Sequence, residues 1–482
     1  MDVSKGERKM IKFGTGGWRA VIGDEFTKEN VQILAQAMSD KMHAEGKAGA
    51  GIVIGYDRRF LSKEAMQWAG VVFAANGIKA CLINKSAPTP LVMFYVMKHD
   101  LPYGMMVTAS HNPAIYNGIK LFTAGGRDAD EVQTADVEDY IAKVVKPVKT
   151  MDYNDAKQAG WIQEFYPINE YMDNILDRID VDKIKEAGLR VVLDPMYGVS
   201  ETSIKTILLT ARCEMETIHS RHDTLFGGKL PAPNEAAMSA LKTTVTDGHY
   251  DIGIATDGDA DRIGVVDDLG RYLSPNDILM ILYYYLEEYR GERGPVVRNL
   301  CTTHMLDRIA AKYGEACYEV PVGFKHISSK ITETDALIGG ESSGGLTVRG
   351  HINGKDGVYA AALLVEMLAV TGRKLSEIYN GILEEFGHVT MLENNYTFRP
   401  ERKAELVKTL MEEKRLPNLP FEVEKTSYMD GCKIYFKNGG WVCVRFSGTE
   451  PLLRVFCEMP EAGMAQKVCR TYKEFLALEG EA

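Results

Sequence analysis

The 482-residue sequence has no apolar run long enough to cross a bilayer, so a membrane-spanning protein is not expected. Its eight cysteines are scattered, and no two stand in a C-x-x-C pair. That spacing argues against a disulfide framework or a zinc site. Free thiols in a reducing cytoplasm are the expectation, with Cys81, Cys443 and Cys457 in apolar stretches. Positive charge is also short, with 56 Lys and Arg against 67 Asp and Glu and a net charge of -11. Such a surface repels nucleic acid and anionic membranes, and an anionic substrate would need locally concentrated Arg and Lys. The first twelve residues are charged and lack an apolar core, so no signal peptide is expected there.

What is present is an ordinary globular balance, 45% hydrophobic and 26% charged residues. The length exceeds what one core can fill, and three or four domains are expected. Residues 11–19 read as a strand entering a Gly-rich turn. Thr27 then caps a helix with apolar positions at Val31, Leu34, Ala35, Met38 and Met42. A strand over 51–57, a helix over 62–76, a strand over 80–83 and a helix opened by Pro88 and Pro90 follow. Polar residues 146–160 read as a linker. Further apolar strands at 189–193, 251–255 and 336–338 alternate with helices at 278–285 and 358–370. Alternating strands and helices predict mixed or parallel sheets covered by helices. The last hundred residues differ: strands at 432–436 and 441–446 flank Asn438-Gly439-Gly440, a hairpin signature in a smaller α+β domain.

Four loops carry the chemistry. In Met105-Met106-Val107-Thr108-Ala109-Ser110-His111-Asn112-Pro113 a buried strand runs into a sharp turn. Ser110, on a strand-end turn beside His111, could carry a phosphoryl or acyl group, although strand-to-loop serines also serve simply as turn formers. In Asp257-Gly258-Asp259-Ala260-Asp261-Arg262, alternate residues of an extended chain share one face, starting ~6–7 Å apart. Three clustered carboxylates repel unless a cation joins them, and oxygen ligands point to Mg²⁺. A solvated acidic turn is the plainer alternative. An EF-hand does not fit, because Arg262 stands where that loop needs Gly and an apolar strand follows. In Gly339-Gly340-Glu341-Ser342-Ser343-Gly344-Gly345, Glu341 and Ser343 face one way and could bind vicinal sugar hydroxyls; a Gly-rich turn would look the same. Arg445-Phe446-Ser447-Gly448-Thr449-Glu450-Pro451, with Arg454 beyond it, reads either as an anion-binding concavity or as a surface turn.

Together, in this order, the four loops resemble the signatures of the α-D-phosphohexomutase superfamily: Thr-Ala-Ser-His-Asn-Pro, Asp-Gly-Asp-Ala-Asp-Arg, Gly-Glu-x-Ser-Gly and Arg-x-Ser-Gly-Thr-Glu-Pro. The resemblance spans nearly the whole chain and is closest to bacterial phosphoglucomutase/phosphomannomutase-type members. It implies three αβα domains with mixed four-stranded sheets and a C-terminal TATA-box-binding-protein-like α+β domain, heart-shaped around a central cleft. The corresponding domain limits are 1–150, 160–271, 272–385 and 390–482.

By that resemblance Ser110 is the phosphorylated nucleophile, and Asp257, Asp259 and Asp261 hold Mg²⁺, completed by the phosphoserine. Lys120, in Tyr-Asn-Gly-Ile-Lys, matches the general acid/base, and its neighbouring cations would lower its pKa. Arg19 and Arg262 match cleft arginines, and His111 orients the nucleophile loop. Glu341 and Ser343 contact the sugar, as does Lys325 in Gly323-Phe324-Lys325. Arg445, Ser447, Gly448 and Thr449 hold the idle phosphate, supported by Arg454.

The implied reaction moves phosphate between the 1 and 6 positions of a hexose phosphate, with a hexose 1,6-bisphosphate as intermediate and activator. The expected setting is cytoplasmic, as a monomer or homodimer, with no nucleic-acid or membrane partner. A hinge near 385–392 is expected, to loosen the fourth domain while the intermediate turns. In this superfamily the residue between the sugar-loop Glu and Ser follows subfamily: Glu with glucose, Met with mannose or glucose, Gln with glucosamine. Ser342 matches none of these, and the neighbouring text favours glucose phosphate. Mannose and glucosamine phosphates are the alternatives within the family. A phosphatase with an aspartate nucleophile and a non-catalytic sugar-phosphate sensor are the rivals outside it.

Overall fold

The computed structural model describes residues 11–14, 16–446 and 452–478. The chain forms two compact units. One takes residues up to Ile278 together with Ser343–Ser376; the other takes Leu279–Ser342 with the chain from Glu377 onward.

The first unit is organised on two mixed sheets. In the first, the parallel strands Tyr103–Val107, Ile52–Tyr56 and Ala80–Ile83 are flanked on one side by the antiparallel Tyr116–Thr123 and Trp18–Val21. Helices Lys28–Ala44 and Ser62–Ala75 bury Val31, Leu34, Met38, Met66, Val72 and Phe73 in one core with Ile52, Ile54, Met105 and Val107. Thr27 caps the first of these helices, its hydroxyl accepting from Asn30 N. Strand alternation sends Gly55 and Gly104 to the opposite face, where helix Thr89–Lys98 lies. A Cβ on either glycine would come within 2.5 Å of Val92 or Val96, so this close approach requires glycine.

Two expectations change here. The Gly-rich turn expected within residues 11–19 closes between Gly14 and Gly17, but the strand follows it, as Trp18–Val21, instead of leading into it. The expected linker 146–160 contains a short helix, Tyr153–Gln158, and the strand after it, Ile162–Phe165, pairs parallel to Ala80–Ile83. The first sheet therefore claims chain beyond that stretch.

The second sheet runs in the order Tyr272–Leu273, Ile263–Asp267, Ile252–Thr256, Arg190–Asp194, Glu214–Thr217. Ile252–Thr256 and Ile263–Asp267 are antiparallel, with Thr256 opposite Ile263, so residues 257–262 are the loop of a hairpin. The returning helix Gly357–Thr371, buried from Gly357 through Leu368, lies against both of these strands and against helices Val181–Ala187 and Glu201–Thr210. That burial explains why Ser343–Ser376 belongs to the first unit.

The second unit contains the parallel strands Cys317–Val320, Val296–Asn299 and Ile338–Gly340, with helices Met305–Tyr313 and Phe324–Thr334. It also contains a five-stranded antiparallel sheet in the order Thr390–Thr397, Leu452–Met459, Trp441–Phe446, Cys432–Phe436, Val423–Ser427. Helix Ala462–Phe475 covers the latter with Ala465, Val468, Cys469 and Tyr472. This is the α+β domain anticipated from the hairpin signature.

Buried charge ties the two sheets of this unit together. The Lys433 ammonium donates to Leu300 O at 2.7 Å and to Glu319 Oε2 at 2.6 Å. Arg298 and the Tyr435 hydroxyl also donate to Glu319. Burial opposes the Glu319 charge, but His304, Lys433 and Arg298 outweigh it and hold the carboxyl far below its usual range. Trp441, Cys443 and Phe456 share an apolar cluster with Leu300 and Cys301 beside this network. The hinge expected near 385–392 therefore does not coincide with a unit boundary. The boundaries fall after Ile278, Ser342 and Ser376, and the network keeps the C-terminal sheet and its neighbour in one unit.

Among the described residues no helix is long and apolar enough to cross a membrane. All eight cysteines are free thiols, and most are buried.

Candidate active site

In the first unit the strand Tyr103–Val107 delivers Ser110 onto a tight bend, where its φ is +52°. A non-glycine residue adopts that left-handed conformation only when its surroundings impose it. Asp57 and Arg59, at the end of the neighbouring strand, do so. The Arg59 guanidinium donates to four carbonyls of the loop: Ser110 O and Asn112 O at 2.6 Å, Pro113 O at 2.9 Å and Tyr116 O at 3.0 Å. Asp57 accepts from the Thr108 hydroxyl at 2.6 Å, and that hydroxyl accepts from Ser110 N at 2.8 Å. Arg59 Nε lies 3.3 Å from Asp57 Oδ2, with both side chains fully buried. Burial pushes the Asp57 carboxyl up and the Arg59 guanidinium down, against their mutual attraction.

The acidic loop meets this bend. Ser110 Oγ donates to Asp257 Oδ2 at 2.7 Å. A Cβ on Gly258 would stand 2.8 Å from Ser110 O, so glycine permits the contact. Asp257, Asp259 and Asp261 are buried, and one oxygen from each lies within 4.8 Å of the others. Ligands of a single divalent cation occupy such a span, with ~2.0–2.6 Å bonds. Burial and the two neighbouring carboxylates push Asp257 well above its ordinary pKa. Asp261 is drawn well below its own: burial opposes its charge, but Lys120, Lys355 and Arg262 prevail. Asp259 Oδ1 and Asp261 Oδ1 are buried and accept no hydrogen bond. Orphaned anionic oxygens are costly, and a bound cation is what this donor set fits.

Lys120, on the strand Tyr116–Thr123, donates to Asp259 Oδ2 at 2.7 Å and to Asp261 Oδ2 at 2.6 Å. Its pKa was expected to fall. Burial does lower it, but the carboxylates of Asp259 and Asp261 dominate and raise it above the usual lysine value. His111 Nδ1 is 3.4 Å from Ser110 Oγ. Burial, with Arg262 and Arg19 nearby, holds this imidazole down to about 2, so it is neutral at any ordinary pH. Arg19 Nη1 donates to Asn112 Oδ1 at 2.7 Å, gripping the loop that carries Ser110, and burial lowers its pKa, as does Arg262. Arg262 N donates to Asp257 Oδ1 at 3.2 Å. Ser343, exposed, begins the returning segment of this unit.

Three participants escaped the sequence reading. Asp57 and Arg59 were passed over as the charged end of a strand. Lys355 reaches Asp261 Oδ2 at 3.0 Å from the residue before Asp356, which caps helix Gly357–Thr371. The helix entry braces the acidic loop, with Gly357 N donating to Ala260 O at 3.2 Å. The only sequence signal was charge placed next to a strand end or a helix cap.

The remaining candidates lie in the second unit. Glu341 Oε1 accepts from Gly323 N at 3.0 Å and from Asn299 Nδ2 at 3.3 Å. Lys325 is in the first turn of helix Phe324–Thr334. Arg445 Nη2 donates to Asp430 Oδ2 at 2.7 Å, and the same oxygen accepts from Val322 N at 2.9 Å. Arg445 and Arg454 are direct cross-strand partners. Like charges so placed repel unless an anion or acid intervenes. Ser447, Gly448 and Thr449 lie outside the described residues.

Four family models match the chain in order. They are phosphoglucomutase/phosphomannomutase alpha/beta/alpha domain I over residues 10–147, domain II over 169–270, domain III over 274–386, and the C-terminal domain over 406–472. A phosphoglucosamine/phosphogalactosamine mutase of Sulfurisphaera tokodaii is 26% identical over 96% of this chain and 98% of its own. The crystal structure of a phosphoglucomutase/phosphomannomutase family protein from Burkholderia thailandensis shares the fold, with a TM-score of 0.82 at 21% identity over 96% of each chain. The phosphoglucomutase/phosphomannomutase of Thermococcus kodakarensis is 30% identical over 92% of this chain and 94% of its own. On that extent of likeness, and with every domain model matched in sequence, the chain belongs to the phosphoglucomutase/phosphomannomutase family of α-D-phosphohexomutases.

Proposed function

We propose that this phosphohexomutase interconverts glucose 1-phosphate and glucose 6-phosphate through a phosphoryl group carried on Ser110. One observation carries the reading: Ser110 Oγ touches the acidic trio directly, at 2.7 Å from Asp257, while Lys120 bridges the other two carboxylates. Asp257, Asp259 and Asp261, with the phosphorylated Ser110, would hold Mg²⁺. When bound, that ion supplies positive charge against the phosphoryl oxygens.

The residues then divide the work. Arg59 and Asp57 hold the bend so that Oγ keeps one direction. Phosphoserine gives its phosphoryl group to O6 of a hexose 1-phosphate. The resulting 1,6-bisphosphate, which also serves as activator, returns its C1 phosphate to Ser110 after reorienting. Lys120, kept as an ammonium by Asp259 and Asp261, is set to donate a proton. A cation held by the same two carboxylates would weaken their pull on the Lys120 proton, and Lys120 is the residue placed to take a proton back in the reverse direction. His111, neutral, accepts or donates a hydrogen bond without adding charge. Arg19 and Arg262 offset phosphate charge beside the nucleophile. Glu341, Ser343 and Lys325 contact the sugar. Arg445 and Arg454, with Ser447, Gly448 and Thr449, hold the phosphate that is not reacting. On this reading the domains are 1–150, 160–271, 272–385 and 390–482, and the protein works in the cytoplasm as a monomer or homodimer.

Relatives named for hexosamine phosphates make phosphoglucosamine the competing substrate. The test is intact mass of wild type and Ser110→Ala, together with turnover of glucose, mannose and glucosamine 1-phosphates. The expected results are a phosphate-sized increment lost in Ser110→Ala and the highest kcat/KM with glucose. An increment that survives the substitution sinks the nucleophile assignment. Glucosamine phosphate far ahead of glucose phosphate sinks the substrate.

A further inference from the structure

The acidic loop is held from a direction that its own sequence does not suggest. Helix Thr89–Lys98 begins between two prolines, Pro88 before it and Pro90 inside its first turn. Proline fixes φ, so Thr89 is presented on a backbone with little freedom. Thr89 is buried, and both of its hydrogen-bond donors point at one residue. Its hydroxyl donates to Asp259 Oδ2 at 2.5 Å, and its N–H donates to Asp259 O at 2.9 Å. The main chain and the side chain of the central carboxylate are thus both fixed by Thr89.

The consequence lies in how the two Asp259 oxygens are divided. Oδ2 receives Thr89 and Lys120, at 2.5 and 2.7 Å. Oδ1 receives nothing, although it is buried. Lys120 alone would not enforce this division, because its ammonium is shared with Asp261 Oδ2. A neutral hydroxyl held on a rigid helix start stops the carboxylate from rotating without drawing off its charge.

Resting on the reading of the acidic trio as the cation site, we propose that Thr89 is a positioning residue for the divalent cation: it locks Asp259 so that Oδ1 is presented to the metal. Groups that hydrogen-bond a ligating carboxylate typically govern metal affinity by about 10–100-fold.

The experiment titrates Mn²⁺, followed by its electron paramagnetic resonance signal, into full-length wild type, Thr89→Val, Thr89→Ala, Thr89→Ser and Asp259→Asn, with thermal unfolding of each recorded alongside. Thr89→Val should bind Mn²⁺ about 10-fold or more weakly, and Thr89→Ser should stay within about 3-fold of wild type. Thr89→Ala gives the same comparison if the valine methyl groups are not accommodated. Wild-type Mn²⁺ affinity in Thr89→Val or Thr89→Ala overturns the proposal, including the case where stability falls and affinity does not. Asp259→Asn is the separate control. If it binds Mn²⁺ as wild type does, the cation-site reading itself fails, and the Thr89 proposal fails with it.

Discussion

Each unit buries a cluster of charge, and the two clusters are finished differently. In the second unit Glu319 has both oxygens engaged, by Tyr435 on one and by Lys433 and Arg298 on the other. In the first unit the acidic trio keeps two buried oxygens with no donor, even though Lys120 and Lys355 stand beside them. Burial of charge is common to both, so burial does not mark a reactive centre. What sets the trio apart from a single unmatched atom such as Glu458 Oε2 is that its two orphaned oxygens belong to carboxylates whose ligand atoms converge within 4.8 Å. A saturated network stabilises a fold, whereas an unsaturated one is built to receive something.

The comparison can be broken most deeply at Glu319. Glu319→Gln strands the Lys433 ammonium, which is only 2% exposed, and should cost about 3–5 kcal/mol in urea or thermal unfolding. Turnover per folded molecule should stay within about 2-fold. Intact stability with lost turnover would reverse the roles assigned to the two clusters.

Next in size is Arg59. Arg59→Lys keeps the charge but gives up the planar fork that reaches four carbonyls. A nucleophile displaced by about 1 Å costs about 100-fold in kcat, with KM little changed. A kcat within about 3-fold of wild type would show that the bend holds Ser110 without the clamp.

The smallest effect sharpens the contrast by pH. Burial and Arg298 hold the His304 imidazole down to about 4, against about 6.5 in an unfolded chain. The folded pKa is the lower one, so on acidification the unfolded chain takes up the proton first. Stability is therefore full above about pH 6.5 and declines as pH falls toward 4. His304→Gln should flatten the Tm–pH slope in that window by a few degrees, at about 2–4 °C per kcal/mol. An unchanged slope would remove His304 from the network's acid response.

The loops were legible because each sets charged, hydroxyl and small residues at a strand end, where spacing alone fixes which side chains face together. The sheet classes followed from the alternation of elements and from the Asn438-Gly439-Gly440 hairpin. What stayed hidden is long-range. Ser110 and Asp257 are 147 positions apart, and nothing local says they touch. Thr89 reads as a helix start, and its 170-residue reach to Asp259 has no sequence mark. The shift on Lys120 came out with the opposite sign because counting nearby cations overlooks which groups lie in contact, and those are carboxylates. The strand Ile162–Phe165 was missed because its polar Gln163 and Glu164 suit an edge position and mask the pattern of a buried strand.

The helix Gly357–Thr371 has a further consequence, for biosynthesis. It shields a sheet whose own strands end at Leu273, more than eighty positions earlier in the chain. A ribosome that has emitted the first 278 residues has delivered both halves of the reactive constellation but not their cover. The apolar surface that the helix covers therefore stays open while residues 279–356, including the first segment of the second unit, are translated. Over that interval the uncovered apolar face is open to chaperone binding or to association with other chains.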